Sequence, residues 1–154
     1  MPETLFAMLR RWLIALFWAI DLRTAPSFHT AVEAGQYGER VAGRYLRRHG
    51  YRIMELNFRT AEGEVDIIAE DEDGLAFVEV RSRREDRGIS PYETVDRHKQ
   101  LRLGKAVSAW LRKKKLRNIR FRGDIVEVIL TAGEVPRCRL LKNAHDFSGH
   151  FQWW

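Results

Sequence analysis

The sequence holds a single cysteine, Cys138, which excludes an internal disulfide and a multi-cysteine zinc site and agrees with a reducing, cytoplasmic setting. Alternating with Arg137 and Arg139, it reads as a small apolar residue on a strand. Long hydrophobic runs are also missing. The uninterrupted apolar part of the N-terminus, Trp12 to Ile20, falls short of the about 20 residues that a membrane-spanning helix needs. There is no GxxxxGK[ST] loop, so ATP hydrolysis is not indicated. The five histidines, at 29, 49, 98, 145 and 150, show no metal-ligand spacing and receive no role. Neither an internal repeat nor a low-complexity segment interrupts the chain.

What is present is ordinary globular material with an excess of positive charge. At 154 residues, 45% hydrophobic and 31% charged, the chain is sized for one domain with a moderate core. A net charge of +6 favours a polyanionic partner, either nucleic acid or an anionic membrane surface. Residues 1–30 read as an apolar N-terminal helix and its linker, 31–147 as the domain, and 148–154 as a tail. The segment "TLFAMLRRWLIALFWAI", from Thr4 to Ile20, is apolar on nearly every side apart from Arg10 and Arg11. The following "DLRTAPSFHTA" offers no convincing small-x-small cleavage site. This favours an interfacial or partner-docking helix over a signal peptide, and makes peripheral membrane contact through residues 4–20 one option.

Within the domain, apolar or small residues at 34, 38, 41, 42, 45 and 46 follow a helical period from Ala31 to His49, closed by Gly50. Gly35, Gly38 and Gly43 weaken that helix by roughly 1 kcal/mol each, which predicts a close approach to a neighbouring element. Three strands follow, over Tyr51 to Phe58, Gly63 to Glu70 and Leu75 to Ser82, the last two joined as a hairpin across "DEDG". A second helix is announced by Ser90-Pro91-Tyr92-Glu93 and should run to about Lys114. Strands in "IRFRGDIVEVIL" and "PRCRLLK" flank Gly133 as a further hairpin. The order αβββαββ predicts an α/β fold, a mixed sheet with helices packed on it.

The strand "LAFVEVR" carries two charges on one face, because alternation puts Phe77, Glu79 and Arg81 on one side and Val78 and Val80 on the other. A buried unpaired charge costs several kcal/mol, so a partner is needed. In "GEVDIIAE", Glu64, Asp66 and Ile68 share one face, and Val65, Ile67 and Ala69 the other. Pairing the two strands brings Asp66 near Glu79. Two such carboxylates repel unless a cation lies between them, and their oxygen ligands suit Mg²⁺ or Mn²⁺. A metal would then balance Asp66 and Glu79 while Arg81 meets an incoming anion such as a scissile phosphate.

The stretch "GEVDIIAEDEDGLAFVEVRSR" resembles the D…(D/E)-x-K core of restriction-endonuclease-like nucleases. From Gly35 to Phe147 the chain is similar to the YraN family, small bacterial proteins related in fold to Holliday-junction resolvases. The blocks that carry this likeness are "GQYGERVAGRYLRRHGYRIMELNFR", "GEVDIIA", "FVEVRSR", "HKQLRLGKAVSAWL", "RGDIVEV" and "NAHDF". The resemblance implies an endonuclease-like fold acting on nucleic acid, DNA in the first place, with Mg²⁺ or Mn²⁺. It makes Asp66 and Glu79 the metal carboxylates, the Val80 carbonyl a further ligand, and Glu39 an additional acid on the first helix. Ala42 and Leu46 share the side of Glu39, so an inward and a solvated position both fit. Junction resolvases of this general fold act as dimers, which makes a homodimer an expectation here.

Position 81 departs from the pattern, which calls for lysine. A guanidinium cannot serve as a base, although it binds phosphate well. Lys99 could stand in, because Val95, Lys99, Leu103, Ala106 and Trp110 run down one helical face. A lysine stem lying along a groove with its head in water fits the same spacing and is the commoner outcome. Gln100 matches a family position without a role that can be derived. The runs "RSRREDR" (Arg81 to Arg87), "DRHKQLR" (Asp96 to Arg102) and "RKKKLRNIRFR" (Arg112 to Arg122) would track a phosphate backbone, whereas Asp124 beside Arg122 reads as structural. Three functions remain open: a metal-dependent endodeoxyribonuclease, a nucleic-acid-binding relative impaired by Arg81, and a membrane-peripheral protein tethered by residues 4–20.

Overall fold

The computed structural model of the chain describes residues 24–85 and 97–147. The apolar segment at residues 4–20, the Ser90-Pro91 start of the second helix and the 148–154 tail lie outside the described residues. Helix α1 spans Ala31–Arg48 and opens on a capping box, in which the Thr30 hydroxyl accepts the Glu33 N–H and the Glu33 carboxylate accepts the Thr30 N–H. It closes at His49 before Gly50, whose φ of +85° favours glycine. Strands β1 (Arg52–Arg59), β2 (Glu64–Asp71) and β3 (Gly74–Arg84) follow, then helix α2 (Arg97–Lys113) and strands β4 (Phe121–Leu130) and β5 (Arg137–His145). The element order is therefore αβββαββ.

The five strands form one sheet in the order β1-β2-β3-β4-β5. Neighbours run antiparallel except β3 and β4, which are parallel because α2 carries the chain across between them. This mixed sheet with a helix on each face matches the expected endonuclease-like arrangement. On one face α1 places Tyr37, Val41, Ala42 and Leu46 against Ile67, Ala69, Val78, Val126 and Val128. On the other, α2 places Leu103, Ala106, Val107 and Trp110 against Val65, Ile68, Leu75 and Phe77. Trp110 stands edge-on to Phe77 with ring centroids 5.6 Å apart, and its indole N–H donates to the Glu55 carboxylate at 2.9 Å.

Strict alternation along β2 does not hold. Val65 packs with Ile68 on the α2 side, while Ile67 and Ala69 pack on the α1 side. The facing strand breaks at the same level, with Phe58 on the α2 side and Leu56 on the α1 side. Between them Asn57 takes a left-handed φ of 51°, and the pairs Leu56 with Ile67 and Phe58 with Val65 put Asn57 opposite Asp66. Asparagine tolerates that conformation better than a branched residue, so both strands switch faces there.

Two glycines set how closely the helices approach. A Cβ on Gly38 would lie 1.7 Å from the Ser82 hydroxyl oxygen, so α1 sits directly on β3. A Cβ on Gly63 would lie 2.0 Å from the Arg102 carbonyl oxygen, so the β1–β2 turn abuts α2. At Gly35 nothing lies within 4 Å of such an atom, and close approach does not explain that glycine. Residues ahead of α1 are also tied down: Ala25 bridges to Ala132, the Tyr37 hydroxyl donates to the Thr24 carbonyl, and Arg84 donates to the Phe28 carbonyl. Among the described residues no helix is long and apolar enough to cross a membrane.

Candidate functional site

The ladder between β2 and β3 stops at the pair Ile67 and Val78. Past it, the Asp66 carboxylate takes the Val80 N–H at 2.7 Å, the place a strand carbonyl would otherwise fill. Asp66 therefore lies against Glu79 and Val80, as the hairpin register required. Above them α1 and α2 leave a cleft of about 640 Å³, with Glu39, Glu64, Asp66, Glu79, Val80 and Lys99 in its wall. Arg102 and His98 from α2 and Arg84 and Ser82 from β3 complete its polar rim.

Charge is unevenly distributed in this cleft. Burial pushes the Asp66 carboxyl up to about 6; the Val80 N–H opposes the rise, and the charges of Glu39, Glu64 and Glu79 add to it. Glu39 is likewise raised by burial, partly offset by a hydrogen bond with Asn57. Glu79 behaves the opposite way. Burial alone would raise it, but His145, Lys99 and Arg81 outweigh that and hold its carboxyl well below the usual range. The Lys99 ammonium lies 2.6 Å from Glu79 Oε1, Arg81 Nε donates to the same oxygen at 3.1 Å, and His145 Nε2 is 2.9 Å from Oε2.

The demand for a partner raised by Glu79 and Arg81 on β3 is thus answered first by neighbouring side chains. Arg81 turns back onto Glu79 and is not part of the cleft wall, whereas Lys99 reaches both Glu79 and the cleft. The groove-lying alternative for Lys99 is only half met, since its head finds Glu79 while 58% of its side chain remains exposed. Among the described residues no three acidic, histidine or cysteine groups converge tightly enough to ligate a metal as they stand. The donors are all oxygens, however, and the charges of Glu39, Glu64 and Glu79 add to the burial that raises Asp66, an arrangement that a cation at Asp66 would relieve.

Two residues joined to the site gave no usable signal in the sequence. His145 comes from the far end of β5, and beyond its place in the block "NAHDF" its hint was Gly123 in the strand facing it. Asn57 was hinted at by being a poor strand former inside a strand run. One expected phosphate contact is corrected. Arg122 is turned into the fold, donating to Asp71 at 2.7 and 3.0 Å, to Asp124 at 3.0 and 3.1 Å and to the Tyr51 hydroxyl at 3.0 Å. Asp124 is structural, fully buried, and also accepts the Asn143 N–H at 2.8 Å. The half-buried Cys138 has its thiol pushed up to about 11 by burial, in keeping with a packing role.

Residues 38–128 match the family described as uncharacterised protein family UPF0102. A UPF0102 protein of Clostridium kluyveri is 40% identical over 113 residues, 73% of this chain and 93% of its own length. A UPF0102 protein of Alkaliphilus metalliredigens is 43% identical over 110 residues, 71% of this chain and 95% of its own. Another, of Trichlorobacter lovleyi, is 41% identical over 115 residues, 74% and 91% respectively. The family match takes in Glu39, Asn57, Asp66, Glu79 and Lys99, with strands β1 to β3 and most of β4. On that extent and identity, the chain belongs to the UPF0102 family, the same YraN family that its motifs resemble.

Proposed function

We propose that this protein binds nucleic acid, DNA first, and cleaves its phosphodiester backbone with the help of Mg²⁺ or Mn²⁺. The observation that carries the reading is the meeting of Asp66 and Glu79 at the end of the β2–β3 ladder, with the Lys99 ammonium 2.6 Å from Glu79 in the same cleft. Asp66 and Glu79, aided by Glu39 and the Val80 carbonyl, would hold the ion. Once bound, it supplies a Lewis acid that orients and acidifies a water and offsets charge on the phosphate.

The chain's own groups do the rest. Asp66 is fixed by the Val80 N–H, so its free oxygen has a set direction. Lys99 holds Glu79 Oε1, and with that carboxylate otherwise engaged the lysine ammonium would be available to a non-bridging phosphate oxygen in the cleft. Arg102 and Arg84, on opposite sides of the cleft, can contact the flanking phosphates. Those contacts read charge and spacing, not base identity, so binding is expected to weaken as salt rises.

A second reading is favoured by one specific fact. Arg81, where the nuclease pattern has lysine, is folded back onto Glu79 outside the cleft wall, which suits a protein that binds without cutting. Incubating labelled branched, single-stranded and duplex DNA with Mn²⁺, Mg²⁺ or chelator separates the two. Cutting that needs metal and disappears in Asp66→Ala supports the nuclease. Binding without cutting, with activity appearing in Arg81→Lys, supports the binding protein, and neither binding nor cutting by any variant would discard both.

A further inference from the structure

His145 is a buried titratable group that the proposed chemistry has not used. Its side chain is 4% exposed, and both ring nitrogens are shielded from water. Nε2 lies 2.9 Å from Glu79 Oε2, yet among the described residues neither ring nitrogen has a hydrogen bond of good geometry. A position needed only for packing would be served better by an apolar ring of similar size, which carries no unmet donor or acceptor.

Several features of the fold converge on placing this ring. The register between β4 and β5 shifts between Gly123 and Ile125, so that His145 falls opposite Gly123. The shift is held by the left-handed Asn143, φ 53°, whose N–H is accepted by the fully buried Asp124. Gly123 then leaves the space: a Cβ there would lie 2.6 Å from the His145 Cβ and 2.7 Å from the Phe147 ring. Phe147 stacks on the imidazole at 6.2 Å with planes 21° apart. The "RGDIVEV" and "NAHDF" segments thus act together on one side chain.

The other two partners of Glu79 are of a different kind. Lys99 is mostly exposed and reaches in from the cleft, and Arg81 is a long side chain two residues along the same strand. Both can swing away when an ion or a phosphate arrives. His145 approaches from inside the core and has nowhere to swing. We propose that His145 is a positioning residue for Glu79, the group that keeps this carboxylate aimed into the cleft while its cationic partners exchange. The proposal rests on the reading of Asp66 and Glu79 as a cation-binding pair.

The test compares His145→Phe, which keeps the shape, His145→Gln, whose amide can reach Glu79, and His145→Asn, whose amide is one bond shorter. The probe is Mn²⁺ alone, titrated by calorimetry against the folded full-length chain, with Asp66→Asn as the reference for a lost ligand. The expected result is Mn²⁺ affinity weakened about 10- to 100-fold in His145→Phe and His145→Asn, and restored to within a few-fold of wild type in His145→Gln. Wild-type affinity in folded His145→Phe overturns the proposal. If that variant does not fold, equal affinities for the Gln and Asn variants overturn it instead. Should the wild type take up no Mn²⁺, the metal reading fails, and metal-free crystal structures decide on His145 alone: a Glu79 carboxylate displaced in the Asn variant but not in the Gln variant supports positioning, and an unmoved one in both refutes it.

Discussion

Strand β2 carries two groups of carboxylates and cations, at Asp66 and at Asp71, and they are built in opposite ways. At the hairpin end, Arg122 grips Asp71 with two parallel hydrogen bonds and Asp124 with its Nε, while Lys142 adds a contact to Asp71 at 3.1 Å. Arg122 and Lys142 there pair with Asp71, Asp124 and Asp73, the last 3.2 Å from Lys142, and Asp71 is held well below the usual range by the Arg122 guanidinium. Five residues earlier, Asp66 shares its surroundings with Glu39, Glu64 and Glu79, and the nearby Lys99 and Arg81 both go to Glu79. Direct pairing of each carboxylate closes the first group and makes it part of the fold. In the second, Asp66 has no such cation pair among the described residues, and burial together with its acidic neighbours raises it, the kind of perturbation that marks a candidate site rather than a brace.

The contrast breaks first under substitution of Arg122. Arg122→Ala strands the fully buried Asp124 and should lower unfolding free energy by about 3–5 kcal/mol in urea titrations, while Mn²⁺ affinity per folded molecule stays within a few-fold of wild type. A large loss of affinity in the folded fraction would mean that the two groups are one.

Acid and base should then separate them by sign. Asp71, lowered in the fold, contributes stability that is complete above about pH 4 and is lost as pH falls through and below that value. Asp66 is raised from 3.8 to about 6, so its contribution is complete below about pH 4 and is lost as pH climbs through 6. In chelator, Asp66→Asn should therefore gain roughly 2–3 kcal/mol over wild type at pH 8 and little at pH 4, with the gap closing when Mn²⁺ is added to the wild type. A flat difference across that range would show that Asp66 does not feel its neighbours.

The smallest stability effect belongs to Lys99. Its side chain is more than half exposed, so Lys99→Met should change stability by under about 1 kcal/mol in thermal melts, yet weaken DNA binding in filter assays several-fold. Unchanged binding would remove Lys99 from the site and return it to the solvated role that its spacing also allowed.

How far the sequence alone reaches is visible in the same residues. Alternation in "LAFVEVR" and the "DEDG" turn sufficed to bring Asp66 to Glu79, because hairpin register is local and charged residues in a strand run demand a partner. Helix α1 was legible through its apolar period and Gly50. The switch of faces at Asn57 and Asp66 was not, since period-2 reasoning assumes an unbroken strand and a single left-handed residue undoes it. Arg122 was misread because a basic run looks alike whether its members face water or a carboxylate 51 residues away. His145 was missed for a related reason: its approach to Glu79 depends on a register shift at the opposite side of the sheet, which leaves no mark on spacing.

The two glycine contacts of α1 and α2 have a mechanical consequence. Gly38 fixes one jaw of the cleft against β3, and Gly63 fixes the other by bearing on the Arg102 backbone, so the opening works like a caliper whose setting is two missing methyl groups. Alanine at either position must force backbone or a buried hydroxyl aside, and at Gly63 the obstruction is a carbonyl that cannot rotate away. The width of the cleft beside Lys99 and Arg102 is therefore set by the chain's smallest residues, and enlarging them would re-gauge it without altering a single charge in it.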